Sequence, residues 1–374
     1  MKTSSTNNRL LSLDALRGFD MIWILGAEGI FAALFTLTGW ELWRVFAEQF
    51  KHSQWHGITF YDLIFPLFIF LSGVTLGIAG KSLLGVSTEQ RLKVYKKALL
   101  RLLLLCFFGV LYNHGWGQGA PVDAEKVRYA SVLMRIGVAW FFAALIVWHC
   151  NLIAQISIAI GILLTYWFFQ VFVAAPSGFS GELVAGESWN SWFDQHFLPG
   201  ITYQNMSPDP EGILSHIPAI VNALGGAFAG KIIVQSALHT KQKLLFLTGF
   251  SATCLLLGYL WSLLLPLNKT LWTSSFTLVS IGWSCVLLII FYFLIDVLNW
   301  RRVGMFFAVI GANAILLYLL SSLFNWQYFI NSLLGGLVSR FDNSVGPLLA
   351  IVALVLTQWL LAKWLYEKKI FMRV

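Results

Sequence analysis

Long unbroken apolar runs recur along this chain, and they constrain its fold more than any other feature. Leu102–Val110 holds nine residues without a polar side chain, and comparable runs return along the whole sequence. A bilayer core about 30 Å thick needs roughly 20 apolar residues in a helix. A transmembrane β-strand alternates apolar and polar residues, so continuous runs imply helices. Only 11% of the 374 residues are charged, against roughly 25% in a soluble domain. The expectation is an all-α, polytopic integral membrane bundle of about ten transmembrane helices. Their expected spans are 14–37, 58–80, 98–113, 129–149, 152–174, 211–235, 244–264, 273–297, 305–325 and 347–366. No repeat relates the two halves, so a single domain over 1–374 is expected, with the lipid bilayer as first partner. Met1–Arg9 is polar and carries no signal-peptide pattern, so the first apolar segment is expected in the mature chain.

Charge sets the expected orientation. The net charge is +8, but the basic residues lie between apolar segments, so topology explains them and nucleic acid is not expected as a partner. With both termini in the cytoplasm, eighteen of the 25 Lys and Arg fall at cytoplasmic ends. The other seven are Arg44, Lys51, Lys126, Arg128, Arg135, Lys269 and Arg340. The bias supports this orientation. It predicts exported loops at about 38–57 and 175–210, and a basic cytoplasmic loop at about 81–97. Cys106, Cys150, Cys254 and Cys285 form no CxxC and read as buried thiols, and no metal motif is present.

Ionisable residues at membrane depth are costly and are candidates for function. Asp14, Arg17 and Asp20 are spaced by three and share one helix face, as an ion-pair stripe or as binding groups. Lys51-His52-Ser53-Gln54-Trp55-His56-Gly57 leads into Asp62-Leu-Ile-Phe-Pro66. Pro66 cannot donate to the carbonyl of Asp62, so a kink or opened turn is expected there. His52 and His56 sit at the expected exported interface, where an imidazole can take a proton from an amine or hydroxyl. The bland alternative is an interfacial Trp/His belt. Asp209-Pro210-Glu211 reads as a helix start with Asp209 as N-cap, and also faces that side. Asn222 and Asn313 are polar residues inside apolar helices, read as interhelical hydrogen bonders, and Gly226-xxx-Gly230 reads as a site of close helix packing.

Five stretches in order resemble the heparan-α-glucosaminide N-acetyltransferase family and its bacterial relatives. They are Arg9–Gly18, Lys51–Pro66, Asp209–Leu214, Pro266–Trp272 and Gly311–Leu316. The resemblance implies an acetyl group taken from cytoplasmic acetyl-CoA and delivered across a bacterial inner membrane to the amine of a glucosamine-type sugar. It implies His52 as catalytic base; the expected mechanism is direct transfer with Asp62 or Asp20 orienting the imidazole, and an acetyl-histidine intermediate is the competing route. Arg17, Lys81, Arg101 and Lys231 are the expected holders of the CoA phosphates, and Asn313 is the expected oxyanion donor. Trp55, His56, Asp209 and Glu211 are the expected contacts of the acceptor, and a homodimer is the implied assembly. The chain departs from the animal enzyme at Gly26-Ala27-Glu28, where that enzyme carries a polar Asn. Two rival readings stand beside this one: an amino-sugar transporter built of two five-helix halves, and a non-catalytic membrane scaffold.

Overall fold

The computed structural model describes residues 10–114, 123–176, 183–341 and 345–372. In chain order the first helices are α1 (Leu11–Ile24), α2 (Ile30–Thr38), α3 (Glu41–Gln49), α4 (Tyr61–Ala79), α5 (Thr88–His114), α6 (Val132–His149), α7 (Leu152–Phe172) and α8 (Trp189–Phe197). Then come α9 (His216–Val234), α10 (Thr240–Trp261), α11 (Ser274–Phe291), α12 (Arg301–Gly311), α13 (Ala314–Leu323), α14 (Trp326–Val338) and α15 (Val345–Glu367). The described residues are all-helical apart from one isolated bridge between Arg128 and Gly200. Seven of the described helices are long and apolar enough to cross a membrane, and nine if each of two bent pairs counts as one span. The chain is a multi-pass membrane protein.

Several expected boundaries move, each for a local reason. The expected span 14–37 is broken: α1 and the helical segment after it meet at 66°. The break lies at Gly26, whose φ of +112° is open to glycine and strained for other residues. The expected span 305–325 is bent by 52° between α12 and α13. The expected third span is the second half of α5, whose first half takes in most of the expected loop 81–97. Residues 88–97 are polar but good helix formers, and no Pro or Gly stops them. The expected loop 38–57 contains α3, and the expected loop 175–210 contains α8; residues 177–182 of that loop lie outside the described residues.

The described residues gather into two compact units. One contains, of the described residues, 10–39, 286–318, 326–341 and 345–372. There α1 packs on α12 with almost no side chain between them. A Cβ at Gly18 would strike the carbonyl of Phe307, and one at Gly311 would strike that of Asp14. Ala15, Ala308 and Ile295 fill the core beside this crossing.

The other unit contains Trp40–Cys285 and Leu319–Asn325. Its centre is the α4–α9 pair. Gly73 and Gly77 on α4 face the carbonyls of Ala223 and Ala227, while Gly226 and Gly230 on α9 face those of Phe70 and Val74. The Gly226-xxx-Gly230 spacing is therefore a close-packing device, matched by Gly73-xxx-Gly77 on the partner helix. Asn222 bonds between helices as expected, donating to Ser280 Oγ at 2.8 Å and accepting from Trp272 Nε1 at 2.8 Å. The N-terminal ends of α4, α6, α9 and α11 meet at one end of this unit. Arg135 in the first turns of α6 reaches Ser215 just before α9, and its guanidinium lies over Phe65 of α4 and Trp272 just before α11.

Candidate functional site

Asp62, the second residue of α4, organises that end. Its side chain is buried, and its Oδ2 accepts from the backbone N–H of Ser53 at 3.1 Å and of Thr59 at 3.2 Å, and from Thr59 Oγ1 at 3.1 Å. Its Oδ1 lies 2.8 Å from His52 Nδ1 and 3.4 Å from Lys269 Nζ. The carboxylate thus folds the 51–59 loop back over the helix start and presents His52 on it. The expected opening at Pro66 does not occur: α4 runs through it unbroken. Pro66 costs one ladder bond in the second turn, and the loop is held by the Asp62 side chain rather than by a freed carbonyl.

Lys269 Nζ also lies 3.1 Å from His52 Nδ1. One ring nitrogen cannot both donate to Asp62 and accept from Lys269. Asp62 collects several donors and acts as an ionised acceptor, so Nδ1–H of the neutral ring donates to it and Lys269 serves the same carboxylate as its cation. This tautomer leaves the lone pair on Nε2. The His52 side chain is 55% exposed.

The loop 265–273 that carries Lys269 is internally braced. Asn268 Oδ1 accepts from Leu271 N at 2.8 Å, and Thr273 N donates to Asn268 O at 3.1 Å. Gly57 N donates to Leu267 O at 2.8 Å and ties this loop to the histidine loop. Trp272, fully buried, holds a left-handed backbone with φ +53°, a costly conformation for an aromatic residue. Burial pulls the Lys269 pKa below the ordinary lysine value, against the opposing pull of Asp62 and Glu211.

A second charged cluster adjoins the first. Arg128 Nε donates to Asp209 Oδ2 at 3.1 Å and Nη2 to Asp209 Oδ1 at 2.7 Å, and Nη2 also meets Glu211 Oε2. Burial acts to lower the Arg128 pKa, but the two carboxylates outweigh it and hold the guanidinium more firmly protonated than usual. Asp209 is not the N-cap of a helix starting at 210. It accepts from Glu211 N at 2.8 Å and Tyr203 N at 2.7 Å, and α9 begins only at His216. Its acceptor capacity is drawn off by Arg128 and the neighbouring loop, so the segment 209–215 turns instead of winding. Asp194 of α8 holds this segment, accepting from Asp209 N at 3.1 Å and Ile213 N at 2.8 Å. Burial raises its pKa to about 6, against those two N–H bonds.

The other expected residues fall in distinct places. Trp55 Nε1 donates to Leu183 O at 2.7 Å, so its polar atom is used within the fold. His56 Nδ1 lies 3.3 Å from Asn268 Nδ2, and burial lowers its pKa. At the other end of α4, Lys81 lies over the Trp148 ring, 5.9 Å from its centroid. Lys231 donates to Gln155 Oε1 at 2.5 Å, and Tyr95 meets His149 Nε2 at 2.6 Å. Lys81 and Lys231 stand at the end of this unit opposite to His52, where they suit a phosphate-bearing group. Arg101 is not at that end: its guanidinium stacks 4.0 Å from the centroid of Trp140, midway along α6. Arg17, Asp20 and Asn313 belong to the first unit. Arg17 pairs with Asp14 at 3.1 Å, and Asp20 is buried with Oδ2 lacking a hydrogen-bond partner. The Asn313 amide is spent on its own unit, donating to Ile370 O at 2.9 Å and accepting from Met372 N at 3.0 Å.

Sequence reasoning gave no role to Lys269, Arg128, Arg135 or Asp194. A usable signal was present: Arg128, Arg135 and Lys269 are three of the seven basic residues that run against the charge bias.

Residues 9–138 match a family described as "Domain of unknown function (DUF5009)". Nearly the whole chain is similar to heparan-alpha-glucosaminide N-acetyltransferase. It is 28% identical to the Mus musculus protein over 430 residues, covering 99% of this chain and 61% of that one. It is 26% identical to the Homo sapiens protein over 427 residues, covering 100% of this chain and 61% of that one. The chain therefore spans about 61% of the length of these relatives.

Proposed function

Because the chain is a relative of the heparan-alpha-glucosaminide N-acetyltransferases, we propose that it is a membrane acetyltransferase with His52 as general base. Acetyl-CoA is the donor and the amine of a glucosamine-type sugar the acceptor. In this reading His52 faces the periplasmic side of a bacterial inner membrane, and the CoA nucleotide is held at the cytoplasmic end near Lys81 and Lys231. This reading assigns no role to Asp20, Arg17, Arg101 or Asn313.

The observation that carries this reading is the Asp62–His52 dyad, with Nδ1 committed to a buried carboxylate and the His52 side chain 55% exposed. That arrangement prepares an imidazole to accept a proton at Nε2. Nε2 takes a proton from the acceptor amine as its nitrogen attacks the thioester carbonyl carbon. The C–S bond then breaks, the amide forms, and the CoA thiolate leaves to be protonated. Asp62 steadies the imidazolium, and Lys269 fixes Asp62 in its ionised state. Trp55, Asp209 and Glu211 have polar atoms engaged within the fold, and His56, exposed beside the dyad, is the acceptor contact this reading keeps.

The test is labelled acetyl-CoA and glucosamine incubated with purified protein. The unsubstituted protein is expected to form labelled N-acetylglucosamine, and His52→Ala to form it at least about 10²-fold more slowly. Undiminished product from His52→Ala would remove His52 from the role.

A further inference from the structure

Arg135 presents the least compensated polar group at this end of the second unit. It lies on α6, is fully buried, and only Nη2 has a hydrogen-bond partner, Ser215 Oγ. Nε and Nη1 have none. The guanidinium carbon sits 4.6 Å from the Trp272 ring centroid and 5.4 Å from that of Phe65. Those rings stack on the cation but accept no conventional hydrogen bond. No ion pair among the described residues includes Arg135. Burying such N–H groups unpaired is costly, and more so on a charged group.

Charge and hydrogen bonding come apart here. Arg128 meets two carboxylates, Asp209 and Glu211, which leaves one negative charge in excess. Glu211 and Asp209 act on Arg135 through space only, without a hydrogen bond to it. Its donors, however, are unspent. The position is equally specific. Phe65 lies three residues inward from Asp62, about one helical turn deeper than the dyad. Trp272 lies three residues beyond Lys269 on the braced loop. The cation therefore lies about one helical turn inward of Asp62 along α4, toward the Lys81 end.

We propose that Arg135 is a catalytic residue that receives the carbonyl oxygen of the acyl thioester and stabilises the oxyanion formed there. This rests on the acetyltransferase reading above. As the amine nitrogen bonds to the carbonyl carbon, the C=O π pair moves to oxygen beside an unspent N–H of Arg135. When the tetrahedral centre collapses, that pair reforms the carbonyl of the amide and the C–S electrons leave with sulfur. The cation is fixed by Ser215, Trp272 and Phe65 before reaction, so little reorganisation opposes its action.

The experiment compares the unsubstituted protein with Arg135→Gln and Arg135→Lys. Acetyl transfer and the binding of free CoA, which has no carbonyl at sulfur, are both measured. The expected result is kcat lower by about 10²–10³-fold in Arg135→Gln, partial recovery in Arg135→Lys, and CoA affinity unchanged within about threefold. Near-normal kcat in Arg135→Gln, or CoA binding lost in step with kcat, would overturn the assignment. A second measurement leaves position 135 intact. In His52→Ala protein, the infrared carbonyl band of ¹³C=O acetyl-CoA should move to lower wavenumber on binding, and an unmoved band would overturn the assignment. No transfer by the unsubstituted protein would instead overturn the acetyltransferase reading, and this assignment with it.

Discussion

Asp62 joins two tasks usually divided among several residues, since it folds the histidine loop and orients its imidazole. Its two oxygens serve His52, Lys269, Ser53 and Thr59. Asn at this position would turn an amide N–H₂ toward at least one of those donors. If it faced His52, the ring would have to accept at Nδ1 and carry its proton on Nε2, the tautomer that cannot act as base. Asp62→Asn is therefore expected to lower kcat by at least about 10²-fold while the protein remains monodisperse in detergent. Steady-state transfer rates with size-exclusion profiles check this, and a normal kcat would remove Asp62 from the orienting role. Sequence spacing brought His52 and Asp62 together because both lie in one short motif. Lys269 is 217 residues away from His52, and no local pattern reports a contact at that separation. Arg128 and Arg135 were visible only as exceptions to the charge bias, which marks a position as costly without saying what offsets the cost.

At the scale of elements, the close α4–α9 crossing sets the frame for the site. A Cβ at Gly226 would fall on the Phe70 carbonyl and one at Gly73 on the Ala223 carbonyl. Backbone atoms cannot rotate away as side chains do, so Gly226→Ala and Gly73→Ala are expected to lower the melting temperature in detergent sharply. Gly249→Ala on α10 meets nothing within 4 Å and is expected to stabilise by about 0.4–1 kcal/mol. Equal effects at the three positions would contradict the close crossing. The small-residue spacing on α9 was legible in the sequence, but its partner on α4 was not singled out, because glycines are frequent in membrane helices. The start of α9 was misplaced for the converse reason: Asp209-Pro210 has the form of a cap, and tertiary contacts with Arg128, Tyr203 and Asp194 hold the segment in turns.

The loop before α9 carries its own pH dependence. Asp194 is raised to about 6 by burial, so the folded protein holds that proton more tightly than the unfolded chain does. This contribution to stability is complete below the ordinary value of 3.8 and is lost as pH rises through about 6. A tenfold difference in proton affinity between the folded and unfolded chain corresponds to about 1.4 kcal/mol. The stability of the unsubstituted protein relative to Asp194→Asn should therefore fall between pH 4 and pH 7. Thermal unfolding of both proteins across that range checks the sign, and a difference that grows with pH would contradict it.

For the whole molecule, composition and apolar runs made the all-helical, multi-pass architecture plain. The breaks at Gly26 and between α12 and α13 were not legible, because hydropathy counts apolar residues and is blind to axis direction. Function is a statement about two ends of one unit: an exposed imidazole at one, basic residues at the other, and a buried cation just inside the first. In the proposed reaction a thioester supplied from the Lys81 end meets an amine at the His52 end. The most direct measurement uses proteoliposomes of known orientation, with labelled acetyl-CoA confined to one side and glucosamine to the other. The account predicts labelled N-acetylglucosamine when acetyl-CoA is on the Lys81 side and glucosamine on the His52 side, and almost none when the two are exchanged. Product that forms only with both substrates on the same side, or equally in either arrangement, would contradict it.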